Sequence, residues 1–482
     1  MRSNRGVSTG GRSAVGFTLA GLVGGFIATM AACGSDGAST FVETPDAAPE
    51  ASITLSPAFP DASNVCEGYR CQQVDCGSGA KTTTVIGKVT APNGTLPLYN
   101  VIVYVPTEPL EAIKEGVQCD RCGSVSGKPL VSTLTKVDGT FELPNMPVGE
   151  DIPLVVQVGK WRRQLTIPAV RRCETTAIEP TLTRLPKNRA EGDMPRVAVT
   201  TGQCDVLACL LPKLGLDPST FDVDNNDTRR VDLFRGDTYR GYMAPAPDGT
   251  PTAQAGLYSS VANFSKYDVV MLSCECGEHN PTAAGDAERA ALYAYMSAGG
   301  RVFASHFHYT WATKTGPLND AANWIASPAN PENPPGPYLV DTSFPKGDAF
   351  SKWLVAVNAS TKPGEMPINQ ARQNVGTVKA GAQRWVYSEN AGNPRSATKY
   401  LSINAPVSRP ADQQCGKFVF ADLHLYAGDE QFEVAGPDLP DNNFPTSCAT
   451  DLTPEEKALA FLFFDLSSCI QDEALPPVPP VK

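Results

Sequence analysis

The hydrophobic pattern of this chain changes near residues 183–193, and that change most limits the folds it can adopt. Up to Leu182, apolar and polar residues alternate in short runs separated by turn residues, which is typical of antiparallel strands. From Pro195 onward, short apolar runs alternate with helical patterns, which is typical of a parallel sheet covered by helices. The sequence therefore predicts a multidomain fold, with a small antiparallel β-sandwich at 66–185 and an open, mostly parallel α/β sheet at 194–472.

The first region begins with a cysteine-dense knot at 66–80 and continues as short strand-like runs. TTVIGKVT and NVIVYVP predict two strands, and IPLVVQVGKWRRQLTI predicts two more around Gly159. Asp138-Gly139 separates two further strand-like runs and predicts a hairpin. No helical pattern interrupts these runs, so the region is interpreted as a β-sandwich.

This region resembles the carboxypeptidase regulatory-like domain, a transthyretin-like or prealbumin-like sandwich. The resemblance rests on the order of four stretches: IGKVTAPNG (Ile86–Gly94), NVIVYV (Asn100–Val105), TKVDGTFELPNMPVG (Thr135–Gly149) and VQVGKW (Val156–Trp161). An insertion between Pro106 and Val131 departs from the family pattern. The resemblance implies a folding or adhesion module rather than a catalyst.

The second region alternates predicted strands with predicted helices. RVAVTTG, YDVVMLSC and RVFAS predict buried strands, and CDVLACLLPKLG and DAERAALYAYMSAGG predict helices that end at glycine. Residues 310–396 are rich in proline and loops and are interpreted as an insertion with a helix at Ala349–Val355. KYLSIN and GKFVFADLHLY return to the sheet. A final helix starts at the Thr453 cap with Glu456 in the capping-box position, and a Pro-rich tail occupies 473–482.

The order YDVVML, helix, AGGRVFAS resembles the class I glutamine amidotransferase-like fold, including its trehalose-utilisation-type relatives. Members of that family place a cysteine nucleophile on a sharp turn just after this strand. Here the corresponding residues are Ser305, His306, Phe307 and His308. The resemblance therefore implies the fold, and it transfers no nucleophile.

The first 33 residues have the composition of an export signal. Arg2, Arg5 and Arg12 precede an apolar run from Phe17 to Met30, which is too short and too interrupted by glycine for a membrane span. The following Ala-Ala-Cys resembles the bacterial lipobox, which implies lipidation at Cys33 and a membrane anchor. The residues after Cys33 are Gly and Ser rather than Asp, which by the same resemblance favours the outer membrane or the cell surface. An ordinary cleaved signal and an uncleaved anchor remain alternatives.

Composition limits the partners. Removal of residues 1–32 leaves 37 basic and 51 acidic residues, a net charge of −14. An acidic chain without a basic stripe repels phosphate backbones, so we expect no nucleic-acid partner. Residues 34–65 carry few large apolar side chains and are interpreted as a disordered tether between the lipid and the folded body.

Thirteen cysteines follow Cys33. In an exported protein they predict disulfides. Six lie between Cys66 and Cys173 and are numerous enough to pair within the first region, while the seven later ones leave one thiol over. Cys119-x-x-Cys122 is alternatively half of a zinc site or a redox motif, but no second CxxC or nearby histidine supports that reading.

All four histidines fall in the second region, near the ends of three predicted strands. His279 follows LSCECGE, His306 and His308 follow RVFAS, and His424 follows FVFAD. Ligands bind at the carboxyl ends of strands in open α/β sheets. The strand spacing of His306 and His308 and of Asp422 and His424 suits zinc or iron and a metal-bound water. Glu275, Glu278 and His279 lie at the third strand end, and His279 is a further candidate ligand. The alternative is a structural cluster of histidines bonded to carboxylates and to loop carbonyls.

Two further sets of residues are candidates. Ser305 is a candidate nucleophile, with His306 or His424 as base and Glu278 as the orienting acid, although glycines of a nucleophile elbow are missing. Aromatic side chains suit a sugar-binding cleft. The aromatic candidates are Tyr309, Trp311, Trp324 and Trp353.

The sequence thus predicts a lipid-anchored envelope protein that displays a non-catalytic binding domain, for cell-surface glycan or another surface component such as an envelope protein. The alternative is a metal-dependent extracytoplasmic hydrolase that uses His306, His308, His424 and Asp422, with zinc or iron as its cofactor.

Overall fold

The computed structural model describes Cys66 and residues 68–480, apart from 80, 121, 123–124, 203, 223–228, 237–251, 279–284, 315, 326–335, 390–397, 426–443, 445–447 and 449–450. The predicted signal, the lipidation site Cys33 and the tether lie outside the described residues, as does His279. Within the described part of the chain, no helix has both the length and the apolar character needed to cross a membrane.

Seven strands form two sheets in the first region. They are β1 (Thr84–Lys88), β2 (Ile102–Pro106), β3 (Pro129–Leu134), β4 (Thr140–Pro144), β5 (Gly149–Val158), β6 (Trp161–Val170) and β7 (Thr175–Ala177). One sheet has the order β3-β2-β5-β6 with antiparallel pairing throughout, and the other has the order β4-β1-β7. The two strands expected around Gly159 are confirmed as the β5–β6 hairpin.

The hairpin expected at Asp138-Gly139 is wrong. The turn forms and Gly139 has a φ of 79°, but it connects β3 to β4, which belong to different sheets. Residues 138–140 make the local hydrogen bonds of a tight turn, in which the Asp138 carboxylate accepts from the Thr140 amide at 3.0 Å. A turn signal fixes the reversal of the chain, whereas strand pairing depends on distant residues.

The second region is organised around a ten-stranded mixed sheet. Its strands, together with two short pairs outside it, are β8 (Val197–Thr200), β9 (Phe221–Asp222), β10 (Val231–Arg235), β11 (Thr252–Ala253), β12 (Val269–Leu272), β13 (Arg301–Ser305), β14 (Ala322–Trp324), β15 (Tyr338–Val340), β16 (Gln370–Ala371), β17 (Val375–Val378), β18 (Ala382–Ser388), β19 (Thr398–Ala405), β20 (Gly416–Ala421) and β21 (Leu423–His424). The order is β11-β10-β8-β12-β13-β20-β19-β18-β15, with β9 beside β10. Pairing is parallel from β11 to β20 and antiparallel from β20 to β15.

Eight α-helices accompany this sheet among the described residues. They are α1 (Leu207–Lys213), α2 (Ala255–Tyr258), α3 (Val261–Phe264), α4 (Asp286–Ala298), α5 (Thr310–Thr313), α6 (Gly316–Asn319), α7 (Pro345–Ala356) and α8 (Pro454–Ser467). The capping box of α8 is present, because the Thr453 hydroxyl accepts from the Glu456 amide and the Glu456 carboxylate accepts from the Thr453 amide. The four longest helices are α1, α4, α7 and α8, and the sequence pattern indicated all of them.

The segment 310–396 contains more structure than the loop-rich insertion we expected. It holds α5, α6 and α7, and two of its strands, β15 and β18, extend the main sheet at its antiparallel edge. The sequence pattern did not indicate β15 and β18, because strands of three and seven residues give a weak periodic signal.

The sheets of the two regions share one hydrophobic core within the compact unit Val65–Lys482. Trp353 of α7 donates its indole N–H to the Pro97 carbonyl at 2.9 Å. The ring of Trp161 at the start of β6 meets Phe464 of α8 edge-on at 6.1 Å. Gly159 fits against the carbonyl of Ser467, where a Cβ would lie only 1.8 Å from the oxygen. The β-rich region therefore packs directly on the helical face that carries α7 and α8.

Six disulfides are present among the described cysteines. They are Cys66–Cys71, Cys76–Cys173, Cys119–Cys415, Cys122–Cys469, Cys204–Cys276 and Cys209–Cys448. The disulfide interpretation is confirmed, and the leftover thiol is Cys274. Pairing within the first region is wrong for Cys119 and Cys122, which cross to the second region. Disulfides persist in oxidising compartments, so this chain is a mixed, β-rich, extracytoplasmic protein.

Candidate functional site

The carboxyl ends of four neighbouring strands bring several polar residues together. Asp205 follows β8, Cys274 follows β12, His306 follows β13, and His424 follows β20 by way of β21. Since β8, β12, β13 and β20 are adjacent and parallel, their carboxyl ends meet at one edge of the sheet. The expectation that residues from several strand ends converge there holds for His306 and His424, whose rings lie 4.5 Å apart in an edge-to-face arrangement.

Asp205 is the hub of this cluster. One of its carboxylate oxygens accepts from the Ser305 hydroxyl. The other oxygen accepts from the Leu425 amide at 2.9 Å and lies 3.2 Å from His424 Nδ1. Asp205 is fully buried, so these donors replace the water that an exposed carboxylate would bind. The sequence argument missed Asp205, although an acid just after the first parallel strand was a signal of the same kind as His424.

Ser305 is held as a structural hydroxyl. It is fully buried at the end of β13, donates to Asp205 and accepts from the Cys274 amide at 3.1 Å. The predicted triad is not assembled, because the partner of Ser305 is Asp205 rather than a histidine. Glu278 lies at the surface and binds the Tyr309 hydroxyl, so it orients neither His306 nor His424.

His306 occupies the turn after β13 with a φ of 36°, in the left-handed region that is unusual for a residue other than glycine. The ring is buried, and its Nδ1 lies 3.5 Å from the thiol sulfur of Cys274. Burial and the nearby cations and histidines, chiefly His424 and Arg372, lower the pKa of His306 to about 2, so this imidazole is neutral at physiological pH.

His308 makes hydrogen bonds through both of its ring nitrogens. His306–Tyr309 form a 3-10 helix, so the strand spacing expected for His306 and His308 is wrong. Trp311 donates its indole N–H to His308 Nδ1 at 3.2 Å, which leaves the proton on Nε2 to donate to the Ser273 carbonyl at 2.8 Å. Both ring nitrogens are used, and burial lowers the pKa of His308, so it offers no ligand to a metal in this arrangement.

Asp422 is likewise separated from the cluster. Its carboxylate accepts from the backbone amides of Asn374 and Val375 at 2.9–3.0 Å and faces the buried ammonium of Lys399 at 3.6 Å. Asp422 and His424 therefore serve different neighbours. We expected His306, His308, His424 and Asp422 to form one metal site. In this arrangement His308 and Asp422 bond to other partners, so the four residues do not form it.

A different set of metal-type ligands lies close together. Ligand atoms of Cys204, Cys274 and His424 fall within 4.8 Å of one another, and among the described residues this is the one such group of three. The sulfur of Cys204 is bonded to Cys276, however, and a disulfide sulfur does not serve as a thiolate ligand. With that disulfide intact, Cys274 and His424 alone do not provide the three or four ligands of a protein zinc site.

Glu455, at the start of α8, is a second buried acid that the sequence argument did not single out. Its carboxylate accepts from the Asn369 amide at 2.6 Å and from the Asn369 side chain at 3.2 Å. Burial, together with the negative charge of Asp205, raises the pKa of Glu455 to about 7 against the hydrogen bonds from Asn369. Titratable groups shifted in this way occur both in functional sites and in structural networks.

The aromatic candidates are mostly in the core. Tyr309, Trp311 and Trp353 are at most 1% exposed, and Trp324 is half-buried with its indole N–H bonded to the Leu318 carbonyl at 3.1 Å. A ring that is covered on both faces does not stack on a sugar. These four rings therefore do not line a sugar-binding cleft, contrary to the expectation from the sequence.

No family model matches the chain, and no curated protein matches it. Solved structures give distant likenesses. A cytoplasmic protein from Salmonella typhimurium is 13% identical over 51% of this chain and 94% of its own, with a TM-score of 0.26. A ThuA-like protein from Bacteroides uniformis is 12% identical over 54% of this chain and 95% of its own, with a TM-score of 0.20. A chain of a type II cohesin–X-dockerin complex from Acetivibrio cellulolyticus is 13% identical over 30% of this chain and 78% of its own, with a TM-score of 0.15. At these TM-scores the likenesses assign neither a fold family nor a function.

Proposed function

We propose that this chain is a lipid-anchored protein of a bacterial cell envelope that displays a rigid, non-catalytic binding body. Cleavage of the signal leaves Cys33 as the lipid-bearing N-terminus, and residues 34–65 act as the tether. The body combines a sandwich of the carboxypeptidase regulatory-like type with an α/β sheet of the amidotransferase-like type. Its outer-membrane or cell-surface location follows from the residues after Cys33.

The observation that carries this proposal is that the polar side chains at the sheet edge already use their hydrogen-bonding groups on one another and on the backbone. Asp205 binds a hydroxyl, an amide and an imidazole, and His308 uses both ring nitrogens. Buried and mutually bonded groups hold neighbouring strand ends together and are not free to contact a substrate. His306 is a neutral imidazole beside a buried thiol.

The ligand class follows from the burial of the aromatic candidates. The rings of Tyr309, Trp311 and Trp353 are buried and cannot stack on a sugar. The sequence left two kinds of ligand open, a cell-surface glycan and another surface component. Of these we favour a surface component other than glycan, such as an envelope protein. Two disulfides that link the regions support a body of fixed shape, which suits recognition without a large ordering cost.

Lipid anchoring gives the first test. In a bacterium that processes lipoproteins, we expect the full chain in the membrane fraction and its N-terminal peptide to begin at a lipid-modified Cys33. Cys33→Ser removes the sulfur that would accept the lipid. We therefore expect that variant to carry no lipid and to be lost from the membrane fraction. Ser35→Ala, two residues away, is the matched control and keeps the wild-type distribution. Equal membrane association of Cys33→Ser and wild type, or an unlipidated wild-type N-terminus, would contradict the proposal.

The second candidate is the metal-dependent extracytoplasmic hydrolase. One observation favours it, which is the approach of the His306 and His424 rings to 4.5 Å beside the Cys274 thiol. On this hypothesis the ligands include these two histidines and exclude His308 and Asp422, and zinc or iron supplies the activated water.

A further inference from the structure

Three cysteines lie together at the carboxyl ends of β8 and β12. Cys204 and Cys276 form a disulfide with their Cα atoms 5.2 Å apart, and Cys274 is a fully buried free thiol two residues before Cys276. The sulfur of Cys274 lies within 4.8 Å of the sulfur of Cys204. Cys204 is half-buried and Cys276 is exposed. A buried thiol therefore lies close to the half-buried member of a disulfide whose other cysteine is an exposed residue.

The backbone keeps these sulfurs close. The Cys204 amide donates to the Cys274 carbonyl at 3.0 Å, and a Cβ on Gly202 would lie 2.2 Å from the same oxygen. The chain after β8 therefore contacts the chain after β12 so closely that only glycine fits at position 202. This contact fixes Cys204 beside Cys274 whether or not a disulfide joins Cys204 to Cys276.

We propose that Cys204, Cys274 and Cys276 form a thiol–disulfide exchange site that presents Cys276 as a reactive thiol to small disulfides of the extracytoplasmic space. The Cys274 thiol gives up its proton, and its sulfur bonds to Cys204. The Cys204–Cys276 bond breaks, and Cys276 leaves as a thiolate that takes up a proton. One disulfide and one thiol are present before and after, so the step needs no external oxidant or reductant.

His306 and the conformation of Cys276 both suit this step. His306 Nδ1 lies 3.5 Å from the Cys274 sulfur and orients the thiol; because the pKa of His306 is lowered to about 2, the thiol proton passes to solvent hydroxide rather than to this ring. Cys276 has a φ of 64°, a left-handed conformation that is unfavourable for a residue other than glycine. Release of Cys276 from the disulfide allows that residue to leave this conformation. Burial raises the pKa of Cys274 well above that of an ordinary thiol, so we expect exchange to be slow rather than instantaneous.

The test is site-resolved alkylation of the native full chain. The protein is incubated with N-ethylmaleimide at pH 8, unfolded in acid and digested after Glu275, which separates Cys274 from Cys276. We expect N-ethylmaleimide to accumulate on Cys276 and a Cys204–Cys274 disulfide to appear in the labelled molecules. Cys33, if it is unmodified, is read on a separate peptide.

Two variants make the outcome specific. Cys274→Ser lacks the attacking thiol, and its Cys276 labelling should fall at least about 10-fold. Ser273→Ala keeps all three cysteines and should label as the wild type does. The proposal is overturned if native wild-type protein labels only at Cys274, if Cys276 stays unlabelled, or if Cys274→Ser labels Cys276 as fast as wild type. Should Cys274→Ser fail to fold, the presence or absence of the Cys204–Cys274 peptide in labelled wild-type protein decides the question alone.

Discussion

Replacement of Cys119, Cys122, Cys415 and Cys469 together by serine is expected to lower the free energy of unfolding by about 5 kcal/mol. The two disulfides close loops of 296 and 347 residues between the regions. Closing a long loop costs the unfolded chain more entropy than closing a short one. Removal of a disulfide that closes a long loop therefore returns the most entropy to the unfolded chain. The total is less than the sum of two separate terms, because the second disulfide closes a shorter ring once the first is made.

Thermal unfolding of the quadruple variant measures this effect. At the unfolding entropy of ordinary domains, a loss of about 5 kcal/mol in a chain of this size lowers Tm by about 6 °C. Cys66→Ser/Cys71→Ser is the matched control, since it removes a disulfide that spans only 5 residues. We expect the control to lose no more than about 2 kcal/mol. A quadruple variant as stable as this control would show that the disulfides between the regions do not stabilise the body.

Asp465→Asn is expected to cost about 3–5 kcal/mol, because it breaks a buried group of four charges. Lys346 contacts Asp465 at 2.7 Å and Glu473 at 3.2 Å, and Lys417 contacts the same two acids at 2.8 and 2.5 Å. The group links α7, β20 and α8 to the residues after α8. Removal of one acid leaves two buried ammonium groups facing a single carboxylate.

The pH dependence of this loss has a definite sign. Burial opposes ionisation of Asp465, but Lys346 and Lys417 outweigh it and hold the pKa of Asp465 far below its usual value near 3.8. A lowered folded-state pKa gives stability that is complete above the unfolded-state pKa and is lost as the pH falls toward the folded-state pKa. The difference between wild type and Asp465→Asn should therefore be largest above about pH 5 and shrink below pH 4.

Urea unfolding at pH 7, 4 and 2.5 checks this prediction. Asp472→Asn is the matched control, because it makes the same chemical change at an exposed position seven residues away. We expect Asp472→Asn to stay within about 0.5 kcal/mol of wild type. An Asp465→Asn variant that matches Asp472→Asn at pH 7 would mean that the four-charge group contributes no stability.

Local sequence patterns predicted local structure well. The β5–β6 hairpin around Gly159, the helix α4 and the capping box of α8 depend on residues close together in the chain, where periodicity and capping signals apply directly. The Asp138-Gly139 turn shows the limit. Its sequence predicts the reversal correctly, but the choice of sheet for β3 and β4 depends on pairing with β2 and β1.

The site was predictable in position and only partly in composition. Parallel strands carry their carboxyl ends to one edge, which is why His306 and His424 meet there. The sequence did not distinguish Asp205 from other acids after strands, nor did it show that Trp311 would occupy the second nitrogen of His308. Cysteine counting predicted disulfides and one remaining thiol. Spacing alone did not reveal that Cys119 and Cys122 pair with residues about 300 positions away.

The measurement that tests the central claim most directly is the metal content of the purified full chain, prepared without chelators and compared with His306→Ala and His424→Ala variants. A non-catalytic body with a saturated polar cluster predicts no zinc or iron above background in any of the three. Near-stoichiometric zinc or iron in the wild type that is lost in both variants would contradict this account and favour the metal-dependent hydrolase.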